Sequence, residues 1–178
     1  MQFVFRGIKV NSYQYQWWQQ TFSDHTVLVF LRSRGAAPCH QLHYLHMVTE
    51  KLGKGYFWRT GRAPRKSHAS FVRFLQALDD RPGTDITRIA AILGFGRAQD
   101  FENWIPTITP LAYQLERLAP DLAGENGPNT EYPWPHMEPV CAPVSYEFPI
   151  WKQLTETGRG KQLLKVIDVA VRRFPEYA

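Results

Sequence analysis

The chain has 178 residues, 44% of them hydrophobic and 14% aromatic, enough to bury a substantial core without help from metals or disulfides. A formal net charge of +5 and a pI near 9.3 fit an anionic partner such as RNA or a nucleotide. The longest strongly apolar run, Val27 to Leu31, is too short to cross a bilayer, which excludes a membrane partner held by a spanning helix.

Residues 1–10 read as an N-terminal arm or a short strand, with Phe3, Phe5 and Ile8 nearly alternating, and they lack the pattern of an export signal. Cys39 and Cys141 match no zinc or redox spacing, so a cytoplasmic protein with reduced cysteines and no cofactor is expected. From Asn11 onward, Tyr15, Trp18, Phe22 and Val29 recur at helical steps and predict the buried face of a first helix. Ser23 and Asp24 could cap a new start, so one kinked helix or two shorter ones fit, and Gly35 and Pro38 end the segment.

Cys39 to Trp58 is the clearest helix, with Leu42, Leu45, Thr49, Leu52 and Tyr56 on a heptad-like seam and Glu50–Lys54 as a favourable i,i+4 pair. Gly53 and Gly55 each weaken it by roughly 1 kcal/mol relative to alanine, which points to close approach by another helix or a ligand. Ser67 is the expected N-cap of a helix carrying Phe71, Phe74, Leu75 and Leu78. Another begins at Thr84 or Asp85 and closes at Gly94. A short piece holds Phe101 and Trp104, and Thr109–Pro110 reads as the cap and first residue of a helix burying Leu111, Leu115 and Leu118. Six prolines within 124–149 forbid a continuous helix there, while Tyr132, Trp134, Tyr146 and Phe148 argue for an ordered segment packed over the bundle. A last helix presents Leu163, Ile167, Ala170, Val171 and Phe174 on one face. The expected fold is a single all-α domain over 1–178, an up-and-down bundle of about five main helices with a proline-rich crossover.

Two groups of residues invite a functional reading. Lys51, Lys54, Arg59, Arg62, Arg65, Lys66 and Arg73 fall in one short span whose only acid is Glu50, at the turn between two helices. Arginine offers planar bidentate donors to phosphate, and a helix N-terminus adds N–H groups; an ordinary solvated basic turn has the same composition. His40, His43 and His46, with Glu50 four residues further, share a broad helix face; packing and surface roles are expected for them rather than a metal site. His25 and His136 have no partner that the sequence identifies.

The segment from His43 to Tyr56 carries Glu50, Lys51 and Lys54, and Gly61 and His68 follow it. This arrangement resembles the HEPN superfamily over about residues 24–78, and Glu131-Tyr-Pro-Trp resembles the Tyr-Pro element before the last helix of that family. The resemblance implies a helical bundle, often dimeric, linked to nucleotide or RNA binding. Some members are metal-independent RNases using an arginine and a histidine four to six residues later, and Arg62 with His68, or Arg34 with His40, offers that spacing. Pro64 and the Gly35/Pro38 pair interrupt both matches, so neither lies on one continuous helix.

The leading expectation is a non-catalytic HEPN-like module that binds a nucleotide, RNA or another phosphorylated ligand through Lys51, Lys54, Arg59, Arg62, Arg65, Lys66 and His68. The alternatives are a metal-independent RNase with Arg62 and His68 as catalytic residues, and a protein-interaction bundle. The last would be a homodimer or the partner of a toxin or nucleotidyltransferase, using aromatics such as Trp17, Trp18, Trp134 and Trp151.

Overall fold

The computed structural model describes residues 2–5, 8–60, 68–80, 83–124, 127–135 and 140–178. Within them the chain is an all-α bundle of eight helices with one small hairpin at its start. Strands β1 (Gln2–Phe5) and β2 (Ile8–Asn11) pair antiparallel, so the alternation in the N-terminal arm reports two strands.

Asn11 begins α1 (Ser12–Ser33) with a reciprocal cap, its side chain accepting from Gln14 N at 2.9 Å while Gln14 Oε1 accepts from Asn11 N. The helix runs unbroken through Ser23 and Asp24. Gly35, at φ 62°, turns the chain, and Pro38 opens α2 (Pro38–Phe57). The seam of α2 is as its periodicity predicts: Leu42, Leu45, Thr49, Leu52 and Tyr56 are all buried. Its glycines mark close approaches. A Cβ on Gly53 would stand 2.6 Å from Ser70 O, and one on Gly55 would meet Trp17 Cβ at 3.1 Å.

The face expected to be buried on α1 is only partly so. Trp18 packs against the core and donates Nε1 to Val171 O, but Phe22, Val29 and Phe30 are exposed, whereas Gln14, Thr21, Asp24, His25 and Leu28 point inward. The polar members of that inner face have partners: Thr21 donates to Trp17 O, Asp24 pairs with Lys51, and His25 lies 3.2 Å from Asp168. Such pairs let polar side chains occupy an interior that hydrophobic periodicity assigns to apolar ones.

Next come α3 (Phe71–Asp79), α4 (Gly83–Ile92) and α5 (Ala98–Glu116). The expected cap Ser67 lies outside the described residues; α3 starts after Ser70, whose hydroxyl donates to Glu50 O and accepts no N–H of its own helix. The first N–H groups of α3, those of Phe71 and Val72, donate to Glu116 Oε1 at 2.7 and 3.0 Å. A side chain from α5 thus does the capping. Helix α5 is continuous through Pro106, and also through Thr109–Pro110, where a new helix start was expected. A helix-interior proline costs about 3 kcal/mol, but Phe101, Trp104, Ile105, Ile108, Ala112 and Leu115 form one buried stripe that only an unbroken helix can present.

After α6 (Pro120–Ala123) the described part of the proline-rich stretch carries no α-helix, only a 3₁₀ turn at Pro143–Ser145, and it packs down through Trp134, 1% exposed, and Phe148. A single antiparallel bridge joins Trp134 and Cys141. The last segment is two helices, α7 (Pro149–Glu156) and α8 (Gly158–Arg172), with Thr157 capping α8 through Gly160 N. One contiguous core runs from Leu28 on α1 to Tyr177 at the C-terminus. Among the described residues no helix is long and apolar enough to cross a membrane.

Candidate functional site

The basic residues singled out in the sequence separate once the side chains are placed. Lys51 is held by Asp24 of α1, and Lys54 by Glu50 one turn earlier on α2. Arg59, in the 3₁₀ turn after α2, lies 4.0 Å over the Tyr56 ring, and Arg73 lies 5.5 Å over Phe57. Arg62, Arg65 and Lys66 fall outside the described residues, as does Gly61. Two of the expected phosphate ligands are therefore already neutralised by carboxylates. Of the second Arg–His pair, Arg34 ends α1 over the Phe30 ring and His40 is exposed in the first turn of α2.

His68 reaches a different setting. Its Nδ1 is 2.9 Å from Glu50 Oε2 and its Nε2 is 3.3 Å from Asp121 Oδ2 on α6. His46, one turn before Glu50, places Nε2 3.4 Å from the same Oε2 without the alignment of a hydrogen bond. Glu50 thus sits, 7% exposed, among Lys54, His46 and His68. Burial alone would raise its pKa, but the contacts from His46, Lys54 and His68 outweigh it and hold the carboxyl at about 2. On the same side of the core, Glu116 shows the opposite balance: burial raises its pKa despite the two backbone N–H groups it accepts. His43 lies outside this centre, 3.5 Å from Glu131 of the Tyr-Pro element. The triplet His40, His43, His46 is thereby divided, only His46 facing inward to Glu50.

A second feature had no counterpart in the sequence reading. A groove of about 410 Å³ runs between α1 and α8, floored by Leu28, Leu45 and Ile167. Arg32 of α1 and Lys161 and Lys165 of α8 line it, exposed, and none of the three forms an ion pair among the described residues. Lys161 and Lys165 are four apart on one helix, a like-charge spacing that costs a few tenths of a kcal/mol when nothing neutralises it. That unrelieved pair was the available sequence signal. His25 borders the groove; burial lowers its pKa more than the neighbouring Asp168 raises it, with Arg172 and Arg32 adding to the lowering. The groove and the basic turn lie toward opposite ends of α1. Asn11, at its start, donates to Trp58 O beside Arg59, while Arg32 is in its last turn.

The outer face of α1 forms a third surface. Tyr15 lies tilted against Trp18, which meets Phe22 edge to face, beside a shallow depression of about 440 Å³, and Val29 and Phe30 extend the apolar exposure. Of the tryptophans proposed for an interface, Trp134 is core, and Trp17, Trp18 and Trp151 are half-buried.

Compared with known proteins, the chain matches no family model, no curated protein and no solved structure.

Proposed function

We propose that this chain is a cytoplasmic, non-catalytic, HEPN-like helical module that binds a phosphorylated ligand, a nucleotide or a stretch of RNA. The observation carrying the proposal is the α1/α8 groove, lined over an apolar floor by Arg32, Lys161 and Lys165, none of them in an ion pair among the described residues, while its one lining carboxylate, Asp168, is held by His25 and Arg172. A phosphate there gains charge-assisted hydrogen bonds and relieves the Lys161–Lys165 repulsion, and the floor accepts a base or sugar face. The basic turn adds the cations Arg59 and Arg73, next in sequence to Arg62, Arg65 and Lys66, and its Lys51 and Lys54 serve the fold instead.

The test is fluorescence anisotropy of labelled RNA and of a labelled nucleotide at two salt concentrations, with wild type and a Lys161→Ala/Lys165→Ala variant. The proposal expects binding that weakens steeply with salt and is weaker in the variant. Equal binding by both proteins, or binding insensitive to salt, overturns it. The RNase alternative is separated by incubating RNA with protein in EDTA: cleavage lost in His68→Ala would replace the non-catalytic reading with one using Arg62 and His68.

A protein-interaction bundle is the second reading, and the inverted α1 favours it. A helix that buries Thr21, Asp24 and His25 while exposing Phe22, Val29 and Phe30 has an apolar face with no intramolecular cover among the described residues. A second copy of this chain, packed α1 against α1, is the occupant this reading commits to, because the same face on both protomers is self-complementary under two-fold symmetry. A mass that stays monomeric at all concentrations removes it.

A further inference from the structure

Donor atoms from two separate segments meet around Glu50. His46 and Glu50 are one turn apart on α2, and His68 comes from the segment just before α3. One ligand atom of each lies within 4.8 Å of the others. Two of the separations are 2.9 Å (His68 Nδ1 to Glu50 Oε2) and 3.4 Å (His46 Nε2 to the same oxygen). Zinc bonded tetrahedrally to nitrogen and oxygen sets neighbouring donors about 3.3 Å apart. The two measured distances need little adjustment, and the third closes by rotation of His68, which is not locked in a helix.

Two further observations point to a cation at this spot. His46 is 1% exposed, yet neither ring nitrogen has a hydrogen-bond partner among the described residues. A buried imidazole stripped of water on both sides is rare in native proteins, and a bound ion or water is the usual explanation. The other observation is Asp121. Its carboxylate lies 3.3 Å from His68 Nε2, while Nδ1 donates to Glu50 Oε2 at 2.9 Å. A metal would replace that Nδ1 proton, and Asp121 would then accept from Nε2 of the bound ring. A carboxylate behind a histidine, fixing its tautomer, is also how metal-binding histidines are commonly held. Lys54 occupies Glu50 Oε1, leaving Oε2 for one bond to the ion. With both imidazoles neutral, Glu50 and Asp121 against Lys54 leave the centre with net negative charge.

We propose that His46 (through Nε2), Glu50 (Oε2) and His68 (Nδ1) bind one divalent transition metal, with water completing the coordination. Two imidazoles and a carboxylate select zinc or cobalt over magnesium and calcium, which take oxygen ligands almost exclusively. The proposal is independent of the groove, since no donor atom is shared with it.

The experiment uses the full chain, stripped with chelator and titrated with Co²⁺ by visible absorption and with Zn²⁺ by calorimetry. One equivalent per chain and intense tetrahedral cobalt bands are expected. His68→Ala, at a partly exposed position outside any helix, should weaken binding at least 100-fold, and Asp121→Asn about 10-fold. His43→Ala, one turn away but outside the centre, should bind as wild type does. His46→Ala should also lose the ion; a thermal melt in chelator establishes that it is folded, and His68→Ala carries the test if it is not. Failure of the folded wild type to take up one equivalent overturns the proposal. So does binding that survives His68→Ala, or that is lost in His43→Ala.

Discussion

Replacing Glu50 by glutamine removes a buried charge without changing its shape, and the structure sets the size of the effect. The carboxyl ordinarily titrates at 4.5 and is held at about 2 in the folded chain, because the contacts from His46, Lys54 and His68 exceed the cost of burial. A depressed carboxyl pKa contributes stability that is fully present above the unfolded value and is lost as pH falls through the folded one. At 1.36 kcal/mol per pH unit, the difference is worth about 3 kcal/mol at neutral pH and about half of that at pH 3. The Glu50 side chain is only 7% exposed, so solvent screening removes little of it. Glu50→Gln also leaves the Lys54 ammonium, 15% exposed, without its counter-charge, which places the expected loss at about 3–5 kcal/mol. The assay is urea denaturation of wild type and variant in chelator at pH 7, 5, 4 and 3. The stability gap should be constant from pH 7 to 5 and should shrink below 4.5. A gap under 1 kcal/mol at pH 7, or one that does not change with pH, refutes the account of Glu50 as an ionised, multiply paired centre.

Four further sets of substitutions probe the remaining structure. Gly53→Ala should destabilise by about 1–3 kcal/mol in thermal or urea melts despite the better helix propensity of alanine, because its Cβ would lie 2.6 Å from the Ser70 carbonyl oxygen. Gly158→Ala, with nothing within 4 Å at the first residue of α8, should be neutral or slightly stabilising in the same melts. Glu116→Ala should cost about 2 kcal/mol by stranding the N–H groups of Phe71 and Val72, and Glu116→Gln, which keeps an acceptor oxygen, should cost clearly less; equal losses would deny the capping role. Lys161→Ala/Lys165→Ala should leave the urea midpoint within experimental error or raise it slightly while weakening RNA binding, and a large stability loss would show that these lysines serve the fold.

The elements most legible in the sequence were those whose local signals agreed with their surroundings. The α2 seam, the Gly35–Pro38 turn, the Phe71–Leu78 stripe and the glycines that admit Ser70 and Trp17 all follow from residues near one another in the chain. The errors share a cause. Helix α1 looked buried on its aromatic side because periodicity counts apolar residues, and it cannot see that Lys51 and Asp168 wait on other helices to receive Asp24 and His25. Thr109–Pro110 read as a new helix start because cap and proline signals are local, whereas the stripe that carries the helix through is buried by distant helices. In the site, the Glu50–Lys54 pair was legible from its i,i+4 spacing, whereas the pairing of Lys51 with Asp24 and of His68 with Glu50 depends on other elements.

What the sequence by itself determined is the helical class, the position of most helices and a cationic character, all properties of composition and short-range spacing. Tertiary structure alone decided which face of α1 is inside, which lysines keep an unpaired charge, and that His46, Glu50, His68 and Asp121 converge. Those outcomes depend on groups 18 to more than 140 residues apart, and the pairing of a buried charge is set by whatever the fold brings within a few ångströms of it.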